Sequence, residues 1–235
     1  MTALDTRPLV ERITDELRAQ VIDGRLKPGS RLRQEEIAAE LGVSRTPLRE
    51  AFRRLQGEGW FANHARQGIV VNEMTIDEIT DIAVARMMLE PVSAGLAARV
   101  HDDAAAGRLR DMTLAQIDPM DTHAFFDSNR DFHFEISGIG PHAKETDLGR
   151  TIRRHWELFS RYRLYYWRST VHVNRSEAAH LDITAAWLER DSETVERLVA
   201  RHNWLAIKDQ IEVLHPEAEL DSQLLAMCEK YGIGV

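Results

Sequence analysis

Apolar residues recur every four positions through LVERITDELRAQVI, at Leu9, Ile13, Leu17 and Val21. That spacing predicts an amphipathic helix ending at Asp23-Gly24. Leu26 to Gly29 then reads as a turn, and Gln34 to Leu41 as a second helix with Ile37, Ala38 and Leu41 inward. Gly42 supplies the break, in a left-handed conformation that suits a residue without Cβ. Ser44 is placed to cap a third helix, and Pro47 falls within its first turn, where a missing N–H is tolerated. Leu48, Ala51, Phe52 and Leu55 form its inner stripe, and Gly57 and Gly59 end it. WFANHARQGIVV predicts two short strands about a tip at Ala65 to Gly68. The order is that of a winged helix-turn-helix, an α+β domain assigned to residues 1–72.

Beyond Asn72 no run alternates with period two, so a helical bundle is expected over residues 73–215. Helices are predicted at Thr75–Val100 (interrupted or bent near Pro91), His101–Ile117, Thr122–Ser137, Glu145–Ser169, Ser176–Glu189 and Asp191–Val213. Residues 216–235 form a tail in which Leu220–Lys230 can add a short helix.

Charge sharpens this division. The 235-residue chain carries a formal net charge of −8, yet residues 1–72 hold 12 Lys/Arg against 10 Asp/Glu and the remainder 18 against 28. The acidic total therefore says little about the first region, because a duplex feels the nearest charges most under salt screening. A single cysteine, Cys228, excludes an internal disulfide framework and fits a reducing compartment. No apolar run is long enough to span a bilayer and no secretory leader is read at MTALDTRPL, so a cytoplasmic protein without membrane contact is expected.

Candidate chemistry falls in both regions. Arg45, Arg49 and Arg53 follow one another at four-residue steps on the third helix, away from Leu48 and Phe52. Such a stripe can enter a major groove, where arginine pairs with guanine edges and phosphates. Thr46 can reach a phosphate or a thymine methyl, and Arg66 at the hairpin tip can enter the adjacent minor groove. A structural three-helix bundle with a solvated basic face is the bland alternative.

In the second region Asn129 and His133 share a helix face at i and i+4, while His180 and His202 each lie about 11 residues from Asp191. If those two helices form an antiparallel hairpin, their imidazoles end at nearly the same height, and a third helix can bring Asn129 and His133 against them. Neutral imidazoles suit a borderline divalent ion such as zinc or nickel. The competing assignment is surface or hydrogen-bonded core histidines. Arg86, Arg130, Arg161 and Tyr165 are candidates to receive a small carboxylate beside the ion. For Arg86 a structural ion pair with Glu90, one turn on, is the alternative.

With these residues in view, the chain resembles the GntR family of bacterial transcriptional regulators, in its FadR subfamily. LKPGSRLRQEEIAAELGVSRTPLREAFRRLQGEGWF and RQGIVV carry the resemblance in the first domain. It implies that Arg45, Thr46 and Arg49 contact operator bases and phosphates, and that Arg66 and Gly68 form the wing tip. Some members carry an arginine in the second helix where this chain has Glu35, so that contact is either lost or replaced, with Arg33 the candidate replacement. ARMMLEPVSAGLAA, NRDFHFEIS and the late His180 and His202 resemble the all-helical FCD-type effector-binding domain. The resemblance implies a metal held by Asn129, His133, His180 and His202 with a small organic acid next to it. After FHFEIS the stretch GIGPHAKETDLG departs from the family's usual short turn. The expectation is a homodimeric regulator on double-stranded operator DNA, a repressor released by its carboxylate effector. The alternative is a metal-dependent enzyme with an attached DNA-binding domain; three histidines with an open position is a hydrolase arrangement, but no HExxH is present and Glu135 lies on a different face from His133.

Overall fold

The computed structural model describes residues 7–65, 67–115, 122–161 and 170–234, apart from the side chains of 122–123 and 170–174. Two compact units result. The first contains the chain up to Thr75, with Ser160 and Arg161; the second contains Ile76–Phe159 and the later residues.

The first unit holds α1 (Leu9–Ile22), α2 (Gln34–Leu41), α3 (Arg45–Gly57) and an antiparallel pair, β1 (Phe61–His64) and β2 (Gly68–Val71). Register pairs Phe61 with Val71 and His64 with Gly68. The segment after Gly29 lies along the outer edge of β2, where Leu32 N–H donates to the Ile69 carbonyl and Val71 N–H to the Ser30 carbonyl. The inner stripes meet as the sequence pattern requires: Leu17 and Val21 of α1, Leu48, Phe52 and Leu55 of α3, and Phe61 and Val71 of the hairpin are all buried. The Phe52 and Phe61 rings lie 5.1 Å apart. Gly42 has φ 64°, so the sharp turn between α2 and α3 uses the left-handed conformation open to glycine. Ser44 stands at the N-cap of α3 as expected, but its side chain makes no capping bond.

The second unit is all-helical among the described residues: α4 (Ile76–Val100), α5 (Asp103–Leu114), α6 (Thr122–Ile136), α7 (Asp147–Ser160, its last residue grouped with the first unit), α8 (Thr170–Leu188), α9 (Ser192–Leu214) and α10 (Ser222–Lys230). Helix α4 runs through Pro91 without the interruption that was one of the two expectations there, the other being a bend. A proline removes one backbone bond and strains the preceding turn, but Pro91 is buried among helices that hold α4 in place. Its main partner is α9. A core of Ala94, Ala98, Leu109, Phe132, Ile136, Ile183, Trp187, Val195 and Val199 joins α4, α5, α6, α8 and α9. Asp191 caps α9 by accepting from Thr194 N–H, and the reversal around it makes α8 and α9 the anticipated hairpin. The tail becomes α10, which lies on α4 and buries Leu224 and Cys228. No described helix is long and apolar enough to cross a membrane.

Candidate functional site

Helix α3 separates its two faces cleanly. Leu48, Ala51, Phe52 and Leu55 are buried, and Arg45, Thr46, Arg49 and Arg53 are exposed. Two acidic residues in the first turn of α2 engage nearby arginines: Glu35 pairs with Arg45 at 2.8 Å and Glu36 with Arg33 at 2.7 Å. The Arg45 and Glu35 side chains are 70% and 75% exposed, so water and salt keep this pair weak and a phosphate can replace the carboxylate. Gly68 opens β2 with φ 77°. Arg66 lies outside the described residues.

In the second unit three imidazoles converge. His133 of α6, His180 of α8 and His202 of α9 each offer a ring nitrogen, and these atoms all lie within 4.8 Å of one another. His133 Nε2 and His202 Nε2 are 3.1 Å apart. Nitrogens bound side by side to one ion at about 2.0–2.1 Å stand about 3.0–3.4 Å apart, so this separation fits a shared metal. The His180 ring is held by stacking on Phe132, with centroids 3.9 Å apart. Asn129, one turn before His133, is buried and lines a cavity of about 450 Å³ together with His180.

A second layer fixes His133. Glu90 of α4 is buried, and its Oε2 lies 3.4 Å from His133 Nδ1. The same oxygen accepts from Asn203 Nδ2 and Arg86 Nη2, each at 3.1 Å. Burial by itself would raise the Glu90 carboxyl; the Arg86 charge and the donors around it more than offset this and hold it well below the usual carboxylate range. A carboxylate kept ionised beside Nδ1 favours the proton on that nitrogen and turns the Nε2 lone pair toward His202. Glu90 and Asn203 were not among the candidate site residues. Their only sequence signals are Arg86 one turn before Glu90 and His202 next to Asn203.

Arg86 and Arg130, candidate effector residues of this unit, are not among the described residues that line this cavity. Arg86 is buried in its bidentate pair with Glu90, its guanidinium 4.3 Å from the Phe159 ring centre. Arg130 is held on its own helix by Asp127 at 2.8 Å and Asp131 at 2.9 Å. Arg161 groups with the first unit and donates to the Gly59 carbonyl. Tyr165 lies outside the described residues. Among the described residues the cavity wall instead carries Thr113, Ser128, Glu177, Phe125, Phe132 and Leu181. Local carboxylates and carbonyls have claimed the three guanidiniums; for Arg86 this is the ion pair with Glu90 that the one-turn spacing offered as the alternative.

A winged helix-turn-helix joined in one chain to a helical bundle with a histidine centre defines a DNA-binding regulatory protein with a sensor-type domain. The profile described as "Bacterial regulatory proteins, gntR family" matches residues 9–71, and that of the "FCD domain" matches residues 81–203. The chain belongs to the GntR family and carries an FCD domain. It is 30% identical over 178 residues to the Nta operon transcriptional regulator of Aminobacter aminovorans, covering 75% of this chain and 82% of that one. It is 27% identical over 203 residues to the HTH-type transcriptional repressor RspR of Escherichia coli K12, covering 84% and 86%. The solved structure of E. coli McbR/YncC shares the fold, with TM-score 0.69 at 22% identity over 90% of this chain and 99% of that one.

Proposed function

We propose that the chain is a ligand-responsive transcriptional regulator of the FadR type, a repressor released from its operator by a small carboxylate bound beside a divalent metal. The convergence of His133, His180 and His202 carries this reading. Asn129 supplies an amide oxygen as a fourth donor, and three neutral imidazoles favour zinc or nickel over harder ions. The cavity at Asn129 and His180 has the size for a small organic acid, with Thr113 and Ser128 available for its hydroxyls or second carboxylate. The metal, when bound, supplies a positive centre for the acid's oxygens; the protein's side chains fix its place and the acid's orientation.

On the DNA side, Arg45, Thr46, Arg49 and Arg53 enter the major groove, Arg33 contacts the backbone, and Arg66 and Gly68 form the wing tip. Two copies acting on two half-sites follow from the symmetry of such readers. The exposed stripe Met88, Val92, Leu96 and Val100 along α4 supports a second copy as its cover. The name of RspR supports repression as the direction of control. A cytoplasmic location follows from operator DNA as the target. Coupling between effector and DNA of about 1–3 kcal/mol suffices to change operator occupancy.

The test has two stages. Protein purified without chelator is assayed for zinc and nickel, with one ion per chain expected and loss of that ion in His202→Ala. A thermal-shift screen of small carboxylates is then run with and without metal, and hits are repeated in an operator-binding assay. Protein that carries no ion when purified without chelator, or a carboxylate response that chelation leaves unchanged, would sink the reading.

A further inference from the structure

A second, larger cavity in the helical unit, about 600 Å³, lies where α4 ends, α5 begins and the segment after α6 passes over them. Its apolar wall is Leu96, Ala97, Leu148 and Trp187, and its polar floor is Glu135 with Arg108. Among the described residues it shares no lining residue with the cavity at Asn129 and His180. The wall is braced: His101 stacks on Trp187 with centroids 4.0 Å apart, and Trp187 Nε1 donates to the Ile136 carbonyl at 3.0 Å.

The polar floor has an unusual arrangement. Glu135 is 4% exposed, and both bonds from Arg108, Nε at 2.9 Å and Nη2 at 2.7 Å, fall on the same oxygen, Oε1. Oε2 receives no hydrogen bond from any described residue. A Cβ on Gly140 would stand 2.1 Å from Oε2, so the glycine in this wall leaves that oxygen the space it occupies. On Arg108, Nη1 makes no bond to the carboxylate. The ion pair thus offers the cavity an anionic acceptor and a cationic donor side by side. The Glu135 side chain is 4% exposed, and Oε2 remains within reach of a donor supplied by water or by a ligand in the cavity.

We propose that this cavity is a second ligand site, separate from the histidine centre, for a free amino acid with an apolar side chain. The ammonium donates to Glu135 Oε2, the carboxylate accepts from Arg108, and the side chain lies against Ala97, Leu148 and Trp187. A ligand with only a carboxylate would face Glu135 with like charge. One with only an amine would leave the outer edge of the Arg108 guanidinium without an acceptor. The nearby Asp102 carboxylate is engaged in capping α5 through Ala105 N–H at 2.8 Å, which leaves Glu135 as the buried anion available to the ammonium.

The experiment is a thermal-shift and calorimetric titration of the full-length protein with L-leucine, L-methionine and L-phenylalanine. For leucine the series includes 4-methylpentanoate, which lacks the amine, and 3-methylbutylamine, which lacks the carboxylate. At least one amino acid should bind saturably while the two truncated leucines do not, and binding should survive both chelation and His180→Ala. Glu135→Gln, which keeps the shape but presents an amide N–H to the ammonium, should weaken binding by about tenfold or more. Leu148→Trp, a change at a half-exposed rim position, should block the cavity without depending on the Arg108–Glu135 pair, and it carries the test if Glu135→Gln does not fold. The proposal is overturned if none of the three amino acids binds, if neither variant weakens binding, or if binding requires the metal or His180. The last outcome would place the ligand at the histidine centre and leave the metal reading intact.

Discussion

The two units hold their functional groups in opposite ways. On α3 the arginines stand in water above an apolar floor, and the pairs they make, such as Arg45 with Glu35, are exposed and exchangeable. In the helical unit His133 and His202 are buried, His133 faces a carboxylate held by Arg86 and Asn203, and His180 is clamped by stacking. A reader of phosphates needs charges that can leave one partner for another, so weak surface pairs suit it. A centre that binds an ion needs lone pairs fixed in advance, because ordering them at the moment of binding would weaken affinity. Exposure and burial are therefore the working conditions of two different kinds of recognition.

This contrast can be broken most forcefully from beneath. Phe52→Ala removes a buried ring packed on Phe61 and should cost the first unit about 3–5 kcal/mol. Thermal unfolding should show that loss together with loss of operator binding, while metal content stays unchanged. Arg49→Ala alters only the surface of the same helix. Operator affinity in fluorescence anisotropy should fall by about ten- to a hundredfold, the worth of one bidentate base contact, with no change in melting temperature. Glu90→Gln sharpens the other side of the comparison, since it retains shape and removes the charge beside His133 Nδ1. Competition against a chelator should show metal affinity about ten- to a hundredfold weaker, with DNA binding of the metal-loaded protein retained. The smallest effect is expected for Glu35→Gln. Stability should stay within about 0.5 kcal/mol, because the pair it breaks is exposed. Operator affinity should rise a few-fold and its salt dependence steepen, since Arg45 is released and one negative charge is removed. A fall in affinity instead would assign Glu35 a direct contact with a base.

Much of the fold was legible because its signals are local. The stripes Ile13 to Val21 and Leu48 to Leu55, the left-handed Gly42 and the pairing of Phe61–His64 with Gly68–Val71 depend on periodicity and backbone sterics within a few residues, whereas Leu9, the first position of its stripe, is exposed. The meeting of His180 and His202 was legible for the same reason, as a hairpin of two helices with equal arms from Asp191. Pro91 does not interrupt α4, because its local penalty is real but the surrounding helices outweigh it. Of the guanidiniums one fate was legible: Arg86 takes Glu90 one turn on, the alternative that its i,i+4 spacing offered. Arg130 and Arg161 each had several acceptors within reach along the chain, and long side chains do not announce which one they take.

By itself, then, the sequence determined the reading helix, the helical character of the rest and the set of imidazoles able to share an ion, since each follows from spacing along one or two helices. Only the tertiary structure decided that Glu90 and Asn203 orient His133, that no described arginine lines the adjoining cavity, and that Glu135 and Arg108 floor a second one. Those outcomes depend on the approach of helices distant in sequence, where burial removes water as a competing partner and makes each remaining hydrogen bond a choice among neighbours.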